Sequence, residues 1–456
     1  MATDLLSGFP MYRQEGWAEP SYSTPFLTYT LAFAVCMFAL EYYLDIRQWL
    51  KFGSARSIPS ELKHPLISEE TFKRSLAYGR DKLSFGLIES VVMFAESVLL
   101  ILLGYLPYAW DMSSSLCSKL SLISESSGSM YREIMVTSIF VLLLTIHDTL
   151  VGLPFSLYRT FVIEEKHGFN KSTLALFFKD KAIALALTFV IGTPVLALVI
   201  YIIRWGGEYF YFYVWVFLCA VSVLLMTVYP TLIAPLFNKF TKLEEGEIYK
   251  AVEALAKRVN FPLTQIFLVD GSKRSAHSNA YFYGFFKNKR IVLFDTLIKQ
   301  VTQNELLAIL GHEIGHWALW HTAQGFVITQ LYIFALFLTF SYVQNTPSLF
   351  SAFGFTYSSP MPVFIGLVLF SQTFWSPVDK LLTFLMNINS RTNEFAADRY
   401  AAKLGMGADL CEGLVKISAE VRMQIFASMS FHAYLRIWGT WFPTRSTRCT
   451  TSATPH

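Results

Sequence analysis

Glu305-Leu306-Leu307-Ala308-Ile309-Leu310-Gly311-His312-Glu313-Ile314-Gly315-His316-Trp317-Ala318 carries an H-E-x-x-H pattern inside a run with helical periodicity. Thr302 and Glu305 have the spacing of a capping box at its start. Leu306, Leu307, Ile309, Leu310 and Ile314 supply an apolar face. Four-residue spacing puts His312 and His316 on one side of a helix, about one turn apart. That reach lets two imidazoles bind one zinc ion. Glu313 stands beside the first of them, where it can take a proton from water that the metal polarises. The competing reading is a buried histidine pair with a surface glutamate between. A helix favours the metal, because it holds both ligands rigidly.

A catalytic zinc takes three protein ligands and keeps a fourth position for water. One solution sets a third histidine six residues after the second, with a glycine between. Here those positions are Thr322 and Leu319, which excludes it. His321 falls one place too early and reads as an interfacial histidine at a helix end. The best downstream candidate is Glu394, in Asn393-Glu394-Phe395-Ala396-Ala397-Asp398. On a helix Asp398 shares its face, where it can hold the free N–H of a ligand histidine. The same two acids also read as an ordinary solvated pair.

Hydrophobic residues make up 54% of the chain and charged residues 15%, against about 25% charged in globular chains. With 41 Phe and 23 Tyr as well, this composition predicts a polytopic membrane protein. A net charge of +4 gives no sign of nucleic acid as a partner. Five scattered cysteines without a C-x-x-C pair read as reduced thiols. The run Phe26–Tyr43 is too long for a signal core and reads as an uncleaved anchor.

Seven stretches are long and apolar enough to span a bilayer: Phe26–Tyr43, Phe85–Leu106, Ile134–Pro154, Ala182–Ile203, Tyr209–Tyr229, Phe326–Val343 and Val363–Met386. Glu89, Glu96, His147, Asp148, Asp379 and Lys380 fall inside them. Such groups face a bundle interior or a wet cavity, or pair with one another. The resulting division is a five-helix membrane region over 1–237, a zinc-peptidase segment over 238–320, two further membrane helices over 321–390, a third-ligand helix over 391–420, and a tail over 421–456. Within the polar segment, Lys242–Val259 reads as an amphipathic helix, Gln265–Val269 as a strand, and Ala280–Phe286 with Arg290–Phe294 as a small hairpin. The serine-rich stretch Ser113–Ser129 reads as an exposed loop.

Further motifs surround the H-E-x-x-H helix: Glu164-Glu165-Lys166-His167-Gly168-Phe169-Asn170, Pro230-Thr231-Leu232-Ile233-Ala234-Pro235-Leu236-Phe237-Asn238, Ser278-Asn279-Ala280-Tyr281-Phe282-Tyr283-Gly284, and Ser390-Arg391-Thr392-Asn393-Glu394-Phe395-Ala396-Ala397-Asp398. With them, residues 20–420 resemble the type I CAAX prenyl proteases, zinc peptidases of the endoplasmic reticulum membrane. The resemblance implies a helical polytopic fold of about seven membrane helices around a hydrated chamber, closed by a zinc-peptidase domain. It implies Zn2+ on His312, His316 and Glu394, with Glu313 as base, and places Asn279 and Ala280 on an edge strand that binds substrate backbone. The implied partners are prenylated CAAX proteins or peptides and the lipid bilayer, and the implied reaction removes the last three residues.

After Glu420 the chain departs from the family pattern, whose His-Pro pair and following Arg it does not show. Its last residues have the composition of a disordered tail. His432 and Arg436 are four apart and could share a helix face, but nothing in the spacing requires them to replace those donors. Three alternatives follow: a membrane quality-control protease using the same site, a catalytically weak scaffold, and a transporter.

Overall fold

The computed structural model describes residues 6 and 8–421, apart from 18–24, 56, 59–67, 125–126, 285–287 and 357–360. The atypical tail, with His432, Arg436 and Cys449, lies outside the described residues.

Helices α1 (Phe26–Ser54), α2 (Glu69–Leu103), α3 (Tyr105–Lys119) and α4 (Ser129–Tyr158) precede α5 (Leu174–Leu187), α6 (Thr193–Trp205), α7 (Phe210–Val228) and the short α8 (Ala234–Phe237). Wide π-turns extend α4 through Glu164, join α5 to α6 and join α7 to α8. Ile88, Leu150, Val190 and Leu224 of this bundle are largely exposed. So many exposed apolar side chains on long helices fit a chain embedded in lipid rather than in water.

Next comes a polar domain: β1 (Phe240–Lys242), α9 (Glu247–Arg258), β2 (Leu263–Val269), β3 (Ala280–Tyr283), β4 (Lys289–Phe294), α10 (Asp295–Gln300) and α11 (Gln303–Ala318). The strands form one sheet in the order β1-β2-β4-β3. β3 and β4 make the expected antiparallel hairpin, with Ala280 opposite Leu293. β4 also pairs parallel to β2, with Ile266 opposite Ile291, and β1 adds antiparallel to β2. Val252 and Leu255 of α9, Ile266, Ile291 and Leu293 of the sheet, and Leu306, Leu310 and Ile314 of α11 bury into one core. Each such side chain contributes roughly 1.5–3 kcal/mol, so the H-E-x-x-H helix is anchored on its apolar side. β3 is left as an open edge beside α11.

The chain returns to the membrane through α12 (His321–Val343), the short α13 (Pro347–Ala352), α14 (Val363–Phe370), a π-turn, α15 (Ser376–Lys403) and α16 (Gly407–Val421). Among the described residues six helical segments are long and apolar enough to cross a membrane: Phe26–Ser54, Glu69–Leu103, Ser129–Glu164, Leu174–Trp205, Gly207–Phe237 and His321–Val343. The seventh expected stretch is helical too, but Ser371, Gln372, Asp379 and Lys380 dilute its apolar run. It does not stop at residue 390. The same helix continues to Lys403 and carries Glu394 with it.

The serine-rich stretch requires a correction, because its first part is helix rather than loop. Ala109, Ser113 and Cys117, four residues apart, are all buried, Cys117 against Ile123 and Val136. The Ser113 hydroxyl donates to the Ala109 carbonyl at 2.6 Å. That local bond satisfies a buried polar group and lets serine occupy an apolar face.

Candidate metal centre and active site

Helix α11 begins as its sequence dictates. The Thr302 hydroxyl accepts from Glu305 N–H at 3.4 Å, and Glu305 Oε2 accepts from Thr302 N–H at 2.9 Å. Glu305 is buried and ion-paired to Lys416 of α16, so one residue caps the helix and docks its neighbour.

Downstream, α11 runs against α15. A Cβ added at Gly315 would meet Tyr400 at 3.2 Å and the Ala397 backbone at 3.3 Å. One added at Gly311 would meet Met406 Sδ at 3.3 Å. The two glycines therefore permit close approach of the helix bearing Glu394, despite the helix propensity they sacrifice.

That approach brings the expected ligands together. His312 Nε2 lies 3.2 Å from His316 Nε2, and Glu394 Oε2 lies 3.3 Å from the first and 3.7 Å from the second. All three donor atoms fall within 4.8 Å of one another, a set able to hold a metal ion. Asp398 Oδ1 sits 2.9 Å from His312 Nδ1, the contact that keeps Nε2 free for a cation. Of the two readings of Glu394 and Asp398, the geometry therefore favours the pair facing the histidines.

The electrostatics show a site built for positive charge. Burial opposes a proton on His312, yet hydrogen bonds to Asp398 and Glu394 hold its pKa up to about 10. Glu394 is held well below the usual carboxylate range by its bonds to His312 and His316, against its own burial. Burial pushes Glu313 upward, a trend that both imidazoles oppose and Glu394 reinforces. A carboxyl raised in this way is better matched to moving protons near neutral pH.

His321 is more than an interfacial residue, since its Nδ1 lies 3.0 Å from Nδ1 of His316. Spacing arguments exclude it as a ligand on an unbroken helix, but the helix breaks at Leu319–Trp320 and the ring folds back beneath His316. Asn279 lies immediately before the edge strand and Ala280 is its first residue. The Asn279 carbonyl accepts from Phe294 N–H at 3.1 Å, its side-chain oxygen accepts from Ala280 N–H at 2.9 Å, and Ala280 opens the edge strand.

The segment leading into that strand is fastened to the membrane helices. Arg274 donates to both oxygens of Asp180 on α5, at 2.7 and 2.9 Å, and to Asn238 at 2.8 Å. Phe169 stacks on His277 with centroids 4.8 Å apart. Tyr78 of α2 donates to Glu164 at 2.6 Å, and His277 Nε2 lies 3.5 Å from the other oxygen of the same carboxylate. This is the part played by the Glu164–Asn170 motif, which the sequence alone left without a task.

Comparison with known proteins agrees with this architecture. Residues 48–239 match the model for the CAAX prenyl protease N-terminal region, five membrane helices. Residues 242–446 match that of peptidase family M48, a match running into the stretch beyond Glu420. The chain is 44% identical over 400 residues to CAAX prenyl protease 1 homolog of Oryza sativa, covering 87% of this chain and 91% of that protein. It is 40% identical over 427 residues to the Homo sapiens homolog, covering 86% and 88%. The crystal structure of S. mikatae Ste24p superposes with a TM-score of 0.79 at 37% identity, covering 88% of this chain and 93% of that one. A multi-pass membrane chain with a metal-competent H-E-x-x-H helix thus meets, along nearly its whole length, the pattern of these metallopeptidases, and it belongs to the CAAX prenyl protease 1 family of M48 peptidases.

Proposed function

We propose that this protein is a zinc endopeptidase of the endoplasmic reticulum membrane that cleaves prenylated CAAX proteins after the prenylated cysteine and frees the last three residues. The observation that carries the proposal is the spacing of the three donors beside Glu313. Nitrogen and oxygen ligands about 2.0–2.1 Å from a tetrahedral zinc stand about 3.3 Å apart. The distances of 3.2, 3.3 and 3.7 Å among His312, His316 and Glu394 fit that requirement. When bound, zinc supplies Lewis acidity toward the scissile carbonyl and lowers the pKa of water there.

The chain's own residues do the rest. Glu313, raised by burial, takes the proton of the attacking water and delivers it to the departing amine. Asp398 fixes the His312 ring through Nδ1. The free edge of β3, opened by Asn279 and Ala280, adds the substrate backbone as a further strand. The ionisable groups on the membrane helices divide between pairing with one another and exposure, and it is the exposed Asp148 that supports a hydrated chamber. Glu96 and His147 pair at 3.4 Å, Lys380 reaches Glu41 at 2.7 Å, and Asp148 stays largely uncovered.

The test is hydrolysis of a farnesylated CAAX peptide beside its unprenylated counterpart. Glu313→Gln should keep its zinc and lose about 10²–10⁴ in rate. Normal turnover by that variant removes Glu313 from its role, and equal cleavage of both peptides favours a quality-control protease.

A further inference from the structure

We infer that His321 is a positioning residue for the metal site: its Nδ1 accepts the Nδ1–H of His316 and so holds the His316 ring in the tautomer that presents Nε2 to the cation. The inference rests on the reading of His312, His316 and Glu394 as ligands. His316 Nε2 is the nitrogen that faces His312 and Glu394. It therefore needs a lone pair, and in a neutral imidazole the proton must sit on Nδ1. That N–H meets Nδ1 of His321 at 3.0 Å, with the rings edge to face and centroids 5.1 Å apart. A donor there demands an acceptor opposite, so His321 carries its own proton on Nε2. Asp398 plays the equivalent part for His312, giving each ligand imidazole a fixed outer partner.

The backbone supplies an independent observation. His321 is the first residue of α12, and the residue before it, Trp320, adopts φ +61. That left-handed conformation is disfavoured for a bulky residue. The side chain gains no burial in return, being 75% exposed. What the turn achieves is placement. It follows the end of α11 at Ala318 and brings the next residue, His321, against His316. Strain of this kind persists where the surroundings demand it, and it clusters at functional sites.

Because Nδ1 rather than Nε2 does the work, two amide variants separate positioning from mere polarity. In His321→Asn the side-chain oxygen falls close to the place of Nδ1, whereas in His321→Gln it reaches toward the place of Nε2. Zinc affinity of the full-length protein in detergent is measured by competition with a chromogenic chelator. His321→Asn should stay within about threefold of the parent, while His321→Gln and His321→Leu should lose about 10- to 100-fold, the usual cost of removing an outer partner of a ligand histidine. Their lost peptidase activity should return on zinc saturation with KM unchanged. Trp320→Gly, which relieves the strained turn, should bind zinc as the parent does. If His321→Leu fails to fold, the Asn and Gln variants still decide. Equal affinity for the two amides, or an undiminished His321→Leu, overturns the inference. Failure of the parent to bind zinc overturns instead the ligand reading on which it rests.

Discussion

On the proposed reading of the site, an entering metal ion must displace the proton that Asp398 and Glu394 favour on His312. In the ion-free protein His312 holds its proton up to a pKa of about 10, so at pH 7 the protonated form dominates by about 10³. Apparent zinc affinity should then rise about tenfold between pH 7 and pH 8, with one proton released per ion bound. An imidazole at its ordinary 6.5 would give only about a 1.3-fold rise over that interval. Competition titrations in a non-coordinating buffer at the two pH values distinguish these outcomes, and proton release is read from the buffer dependence of the binding enthalpy. Removing one of the carboxylates responsible, as in Asp398→Asn, should flatten the slope. The sign for stability runs the same way. A raised imidazole pKa stabilises the ion-free fold fully below about pH 6.5, and the contribution disappears as pH climbs through about 10. The Tm of metal-free protein should therefore fall across that window, and zinc should restore it most at the alkaline end. A rise in affinity near 1.3-fold, or a flat Tm, would refute the assignment of the His312 proton to the Asp398–Glu394 pair.

Other perturbations follow from the packing. Gly315→Leu drives a side chain into Tyr400 and Ala397; it should cost about 1–3 kcal/mol of stability and weaken zinc binding, whereas Gly315→Ala, tight by a few tenths of an ångström but gaining about 1 kcal/mol of helix propensity, should unfold near the parent Tm. Lys416→Met strands the buried Glu305 carboxylate and should destabilise by about 3–5 kcal/mol, with much of the loss recovered in Denaturation midpoints when Glu305→Gln is added. Asp180→Asn weakens the two-pronged hold on Arg274 and should raise KM for a farnesylated peptide more than it lowers kcat, because it loosens the approach to the β3 edge rather than the donors.

What the sequence made legible was local. The capping box, the apolar face of α11 and the shared side of His312 and His316 all fall within one helix, where a repeat of 3.6 residues fixes which side chains meet. Glu394 was within reach because it recurs with Asp398 at the same four-residue spacing. Its docking against α11 was not, since it depends on Gly311 and Gly315 meeting Met406, Tyr400 and Ala397, contacts between residues 82 to 95 apart in the chain. The parallel pairing of β2 with β4 is non-local in the same way, whereas the β3–β4 hairpin lies between neighbouring segments and was visible. His321 shows the opposite failure. Counting residues excluded it as a ligand, and the donor set of His312, His316 and Glu394 leaves that exclusion standing; what the count could not show is its contact with His316, which depends on Trp320 leaving helical geometry. The misread serine stretch has a similar origin: serine suggests a loop, but a hydroxyl that returns to the carbonyl four residues back behaves as a small core residue. In this chain the departures from local rules, two glycines inside a helix and a left-handed tryptophan after it, lie within one turn of the proposed metal ligands or next to their partners. Their cost is in helix stability and their effect is the convergence of two histidines and a distant carboxylate, which no single segment could achieve alone.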